Sequence, residues 1–190
     1  MWRIGFVVLA LVYCTSAAHQ KAVAVLENKE KAIYGKIVFE ETDHGILING
    51  NITGLKEGKH GFHIHEKGDI SDPKCLSAGG HFNPFNKTHG DRNDEIRHVG
   101  DLGNIETIGT TTQFSFFDTI ISLTGENSII GRAVVIHENS DDLGRDGYAD
   151  SNTTGHAGAR LACAVIKNGS FIYTASRTLL FSMLIFMALQ

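Results

Sequence analysis

Eight short segments of this chain alternate apolar with polar residues, at 21–27, 32–40, 45–53, 59–66, 101–107, 112–118, 132–138 and 160–167. A period of two sends successive side chains to opposite faces, so each segment reads as a strand with one face buried. No stretch carries a helical period, and there is no internal repeat or low-complexity segment. With Pro at only 2 positions and Gly at 21, strands joined by turns are favoured over long helices. The first three segments follow one another through brief connections, as in a meander. Residues 67–100 and 139–159 are instead long, polar and glycine-rich, and loops of that length in a compact domain usually carry function. A length of 190 residues suits one core of ordinary size and falls short of two. The expected fold is all-β, an antiparallel sandwich or barrel.

The two ends stand apart from that domain, which is expected over 19–170. Arg3 precedes an apolar run at 4–12, and Ser16, Ala17 and Ala18 offer small residues at cleavage positions. Residues 1–18 therefore read as a signal peptide, the run being well short of the ~20 apolar residues that span a bilayer. Residues 171–190 end in an apolar run at 178–189, again short for spanning. One reading of this tail is a lipid-anchor signal giving membrane attachment; the other is a tail that is cleaved or packed on the domain.

Loss of the leader removes Cys14 and leaves Cys75 and Cys163, the even number that one intrachain disulfide requires; two free buried thiols are the alternative. N-x-S/T sequons at Asn51, Asn86, Asn152 and Asn168 agree with a secretory route. An extracellular protein is expected, surface-attached if the tail is an anchor. Setting aside Arg3 and Arg177 leaves 15 basic residues against 21 acidic ones, a net charge of −6 with no basic run, so nucleic acid is not an expected partner.

The chemistry lies in the histidines. On a strand, His63 and His65 project from one face while Phe62 and Ile64 take the other, which is half of a metal site. Downstream, His81, His89, His98 and Asp101 recur in turn-like sequence; three imidazoles and a carboxylate make a complete tetrahedral zinc set, closed and hence structural. His137 ends an apolar strand and could join His63 and His65 around copper, for which imidazole is a good ligand.

Five blocks, Gly61-Phe-His-Ile-His-Glu66, Gly79-Gly-His-Phe-Asn-Pro84, Arg97-His-Val-Gly-Asp-Leu-Gly-Asn104, Ser128-Ile-Ile-Gly-Arg-Ala-Val-Val-Ile-His-Glu138 and Gly155-His-Ala-Gly-Ala-Arg-Leu-Ala-Cys163, closely resemble copper/zinc superoxide dismutases in order and spacing. The resemblance covers roughly residues 20–169 and implies an eight-stranded Greek-key β-barrel, flattened like an immunoglobulin sandwich, with two long functional loops. It implies one copper and one zinc per subunit: copper on His63, His65, His81 and His137, zinc on His81, His89, His98 and Asp101, with His81 shared. It further implies Asp141 as a carboxylate linking His63 and His89, a Cys75–Cys163 disulfide, and catalysis by His81, which carries a proton, and Arg160, which positions the superoxide anion. The rival reading is a non-catalytic copper carrier on the same fold, which would need neither Arg160 nor the zinc set.

Two departures from the family are expected to matter. A residue near Thr153, often lysine in relatives, is not basic here. Lys67 and Asn168 replace apolar residues at the face through which relatives dimerise; the resemblance implies a homodimer, and these two positions put its interface in doubt. His60 reads as a buried structural histidine, His19 and His44 as surface residues, and neither His60 nor His156 as a ligand.

Overall fold

A computed structural model describes residues 19–169. The signal-peptide reading of 1–18 and the anchor reading of 171–190 concern residues outside the described range, apart from which the eight expected strands are all present. One sheet holds β1 (Lys21–Asn28), β2 (Ile33–Thr42), β3 (Gly45–Thr53), β6 (Thr111–Asp118) and the two-residue β9 (Lys167–Asn168), in the order β6-β3-β2-β1-β9. The other holds β4 (Gly58–His65), β5 (Asp101–Thr107), β7 (Ala133–His137) and β8 (Arg160–Val165), in the order β5-β4-β7-β8. All ladders are antiparallel. The chain changes sheet between β3 and β4, and β5 lies beside β6 and β8 beside β1, so the two sheets close as a flattened Greek-key barrel.

The alternation seen in the sequence is the alternation of burial. In β1, Ala22, Ala24 and Leu26 are buried while Lys21 and Val25 face out. Inward residues of both sheets, among them Ile37, Phe39, Ile48, Phe62, Ile64, Val134 and Ile136, form one apolar core. Each large side chain removed from water there contributes on the order of 1.5–3 kcal/mol. Strands β4 and β7 depart from the pattern, because residues 60–65 and 133–137 are buried on both faces. Their inner residues sit in the core; their outer residues, including His63, His65 and His137, lie beneath the two long loops. That covered outer face is where the polar centre forms.

The loops are tied down by few but specific bonds. Cys75 in the first loop is bonded to Cys163 on β8, closing a separation of 88 residues and stabilising by ~4–5 kcal/mol on the chain-entropy account. The second loop contains a four-residue helix, α1 (Ser151–Thr154), which ends on Gly155 in the left-handed region at φ 66°. An added Cβ at Gly155 would lie 1.8 Å from Asp141 Oδ1, so only glycine fits.

Arg97 is the largest fully buried side chain, 2% exposed. Its guanidinium donates to the carbonyls of Asp101 (2.7 Å) and Val99 (3.3 Å) and, at 2.5 Å, to Asp118 Oδ2 on β6. Asp118 in turn accepts from the amides of Ile120 and Ile121. The pair pins the end of the first loop to the opposite sheet, and removing one member would strand the other charge. Arg97→Met is expected to lower unfolding free energy by about 3–5 kcal/mol, with part of the loss recovered when Asp118→Ala is added. Denaturant titration of the two variants checks this; a single variant within about 1 kcal/mol of the parent would contradict it.

Candidate metal centre

Strand β4 places His63 and His65 side by side on the covered face, as their spacing predicts. In the β4–β7 ladder Val135 stands opposite His63 and Ala133 opposite His65, so His137 emerges one step further along the same side. His81 reaches them from the first loop, where it forms a bridge with His65 while Phe82 exchanges backbone bonds with Ile64 and Gly100. Ring nitrogens of His63, His65, His81 and His137 all lie within 4.8 Å of one another, and all four residues are buried.

Which nitrogen each ring offers follows from what its other nitrogen does. His63 gives Nε2 to Asp141 Oδ2 at 2.7 Å, and its buried Nδ1 has no partner. His65 donates from Nδ1 to the Gly79 carbonyl (2.9 Å), leaving Nε2 inward, 3.4 Å from Nε2 of His137. His137 uses Nδ1 on the Gly158 carbonyl at 3.3 Å. His81 points Nδ1 at Asp101 Oδ1 (2.8 Å), and its buried Nε2 is also without a partner. Lone pairs facing one another with no proton donor between them are what a cation would satisfy.

On its far side His81 enters a second cluster. Nδ1 of His81, His89 and His98 and the carboxylate of Asp101 converge: His89 Nδ1 is 3.0 Å from Asp101 Oδ2, His98 Nδ1 3.1 Å from Oδ1, and His98 Nδ1 3.5 Å from His81 Nδ1. A tetrahedron with metal–ligand bonds of ~2.0 Å has edges of about 3.3 Å, so this set is zinc-sized. Asp101 is held by the amides of Gly90 (3.2 Å) and His98 (2.9 Å) on Oδ2.

Asp141 joins the two clusters. Its oxygens accept from Nε2 of His63 (2.7 Å) and Nε2 of His89 (2.8 Å), directing the Nδ1 atoms of those rings into separate nests. The carboxylate thus fixes the orientation of both rings, and with His63 and His89 forms a third close group of three.

Electrostatics follow from burial. His65 and His137 are pushed well below the usual histidine range by loss of solvent first and by neighbouring charge, Arg160 included. His81 falls to about 3, through burial and then His63. His89 behaves oppositely: burial works against its charge, but hydrogen bonds to Asp101 and Asp141 prevail and raise it to about 9. For Asp101 and Asp141 burial likewise opposes the charge, and the surrounding histidines overcome it and hold both far below the carboxylate range.

Arg160 opens β8 directly opposite His137. Its guanidinium donates at 2.6 Å to the Cys75 carbonyl and at 2.6 Å to the Gly79 carbonyl, the latter shared with His65. Gly79 adopts φ 78°, which lets that carbonyl serve both; Gly80 has no such constraint. Thus all the expected site residues come together. Sequence reasoning missed three supports: Asn104, which donates to the Asp141 carbonyl (2.9 Å) and accepts its amide (2.7 Å), Arg97, and Gly155. Asn104 and Arg97 lie within a quoted block, but their roles depend on partners 37 and 21 residues away.

The remaining histidines fall where expected. His60 is buried with both ring nitrogens 2.9 Å from carbonyl oxygens, of His137 and Lys56, and serves as a link between strands. His19, His44 and His156 are exposed, as are Lys67, 3.8 Å from its neighbour Glu66, and Asn168.

Comparison with known proteins agrees with this geometry. The family described as copper/zinc superoxide dismutase matches residues 33–166. The chain is 53% identical over 146 residues to copper/zinc superoxide dismutase 5 of Dictyostelium discoideum, covering 75% of this chain and 95% of that protein. It is 48% identical over 167 residues to the extracellular copper/zinc superoxide dismutase of Caenorhabditis elegans, covering 84% and 75%. It is 54% identical over 147 residues to copper/zinc superoxide dismutase A of Xenopus laevis, covering 77% and 96%. Among solved structures, the clock protein EA4 superposes with a TM-score of 0.75 at 45% identity, over 87% of this chain and 99% of that one. With its family profile, its relatives and its fold in agreement, this chain belongs to the copper/zinc superoxide dismutases.

Proposed function

We propose that this chain is an extracellular superoxide dismutase in which His63, His65, His81 and His137 hold copper, His81, His89, His98 and Asp101 hold zinc, and Arg160 positions the substrate. The reaction converts superoxide to oxygen and hydrogen peroxide, with one copper and one zinc per subunit. The observation that carries the site assignment is the pair of buried four-residue nests with one ring, His81, between them. Copper, when bound, supplies the alternating electron acceptor and donor that dismutation needs. The protein residues do the rest. Zinc, when bound, would hold the His81 ring from Nδ1, the atom that without it lies 2.8 Å from Asp101 Oδ1. His81 Nε2 is the atom that takes up a proton and passes it on, in a pocket where burial keeps the metal-free ring neutral at neutral pH. Arg160, braced by two carbonyls, keeps a fixed cation beside the His65 and His137 side of the nest, where a small anion can be held without reorganisation.

A non-catalytic copper carrier has no use for that braced arginine or for the zinc-side nest. The extracellular placement rests on the leader, on a disulfide between the two cysteines of the domain, and on likeness to a relative named as extracellular.

Protein recovered from culture medium with one copper and one zinc per chain is expected to consume superoxide. The Arg160→Glu form should keep both metals and lose about ten-fold or more in rate at low ionic strength, with Arg160→Lys between the two. Both metals without activity in the parent would overturn the enzyme reading, and an unchanged rate in Arg160→Glu would overturn the role of that residue.

The raised His89 carries a sign that can be checked. In the metal-free protein His89 is protonated below about 9, and zinc requires it neutral, so zinc must displace that proton. Affinity should therefore climb with pH by about ten-fold per unit from this residue alone, levelling above about 9. Calorimetric zinc titration near neutral pH in buffers of different ionisation enthalpy should report release of at least one proton; heats independent of buffer would contradict it.

A further inference from the structure

One of the four sequons lies where the fold has a use for a sugar. Asn51 and Thr53 project from the outer face of β3, while Ile52 between them is fully buried. Asn51 is exposed, and its cross-strand neighbours, Lys36 on β2 and Gln113 on β6, are exposed as well. Together with Val38, Asn49 and Ser115 these residues line a shallow trough of about 540 Å³, on which Lys36 is the sole charge. The metal nests lie on the outer face of the other sheet, with the apolar core between.

Strand β6 ends the five-stranded sheet, one strand beyond Asn51. It follows β5 through one bridge, Ile108 with Thr111, and among the described residues no ladder joins the two strands. Residues 111–117, Thr-Thr-Gln-Phe-Ser-Phe-Phe, hold no charge, proline or glycine. An uncharged, β-prone segment of that length on a sheet edge is a template for pairing with another chain. Its inner side is covered: Phe114 and Phe116 pack on Phe62, and the Arg92 guanidinium lies 4.2 Å from the centre of the Phe116 ring. Its outer side presents Thr111, Gln113, Ser115 and Phe117, the last 52% exposed. Asp118 next to them is buried against Arg97 and puts no charge on this face. The strand also runs without a bulge, so none of the usual guards of a sheet edge is present on it.

The other sequons are placed differently. Asn86 and Asn152 lie in the loops over the nests, the Asn152 carbonyl accepting from the His89 amide (2.9 Å). Asn168 ends β9, at the opposite edge of the same sheet.

We propose that Asn51 carries an N-linked oligosaccharide that lies along this trough and shields the outer side of β6. In its attachment Asn51 Nδ2 forms a bond to the anomeric carbon of the first sugar as that carbon's bond to a lipid diphosphate breaks. The diphosphate leaves with the electron pair, and the amide gives up one proton. Neighbouring strands lie about 5 Å apart, so the first sugar on Asn51 reaches Gln113. The amides of Asn49 and Gln113 and the hydroxyl of Ser115 offer donors and acceptors to sugar hydroxyls, and Val38 offers an apolar contact. The inference rests on the extracellular reading, because only a chain in the secretory pathway meets the lipid-linked donor.

The test uses the full chain secreted from cultured eukaryotic cells and loaded with copper and zinc. Enzymatic removal of N-glycans in heavy-oxygen water should convert Asn51 to labelled aspartate, read by mass spectrometry of its peptide. Secreted protein in which Asn51 is mostly unmodified would overturn the proposal. Asn51→Gln and Thr53→Ala, which abolish the sequon in two ways, should each speed concentration-dependent aggregation by about two-fold or more at equal metal content. Adding Phe117→Lys to Asn51→Gln should return aggregation to the parent's rate, since a charge then guards the same edge. Aggregation that is unchanged by loss of the sugar, or that persists when Phe117→Lys is added, would overturn the shielding role. Retention of every form inside the cell would instead sink the extracellular reading.

Discussion

Everything at the centre of this protein turns on one buried carboxylate. Asp141 accepts a ring N–H from His63 and another from His89, and in doing so decides which nitrogen of each ring is left for a metal. A carboxylate without solvent is costly, and its charge is sustained by those two donors, while Asn104 clamps the residue's backbone amide and carbonyl. The second loop can close over it because Gly155 brings no side chain to that point. Removing any one of these supports would free the rings to rotate, and two nests defined by inward nitrogens would lose their definition.

The two sides of the centre are built for different tasks. The zinc-side nest includes a carboxylate, Asp101, and is braced from the opposite sheet through Arg97. The copper-side nest is four imidazoles under the influence of Arg160, whose own position depends on the carbonyls of Cys75 and Gly79. The disulfide therefore does more than close a long loop. It fixes Cys75, and through that residue's carbonyl it helps fix Arg160. Stability, the geometry of the histidine nests and the placement of Arg160 share the same few bonds.

Much of this was legible in the sequence, for physical reasons. Strands announce themselves by a two-residue period, and all eight are found within two residues of their expected bounds. The last one breaks at Ile166, which turns into the core and leaves Lys167 and Asn168 to pair with β1 as a separate short strand. Helix α1 was invisible because four residues carry no period; Ser-Asn-Thr-Thr is helical only where Asp150, Asp142 and Gly155 hold it. Residue types and spacing pointed to a zinc set and half a copper set. The sharing of His81 and the role of Asp141 came from family resemblance, since nothing in spacing alone tells which loop histidine faces two ways. The supports from Asn104 and Arg97 were hidden because they are hydrogen bonds between distant parts of the chain.

The central claim is that one ring, His81, stands between two different ions. Crystals of the metal-loaded protein, with anomalous scattering recorded at the copper and zinc absorption edges, test it most directly. The account predicts one copper peak among His63, His65, His81 and His137 and one zinc peak among His81, His89, His98 and Asp101, about 6 Å apart, the span of one imidazole and two bonds of ~2 Å. A single ion site, the two metals exchanged between nests, or peaks with the His81 ring lying outside the line between them would contradict it.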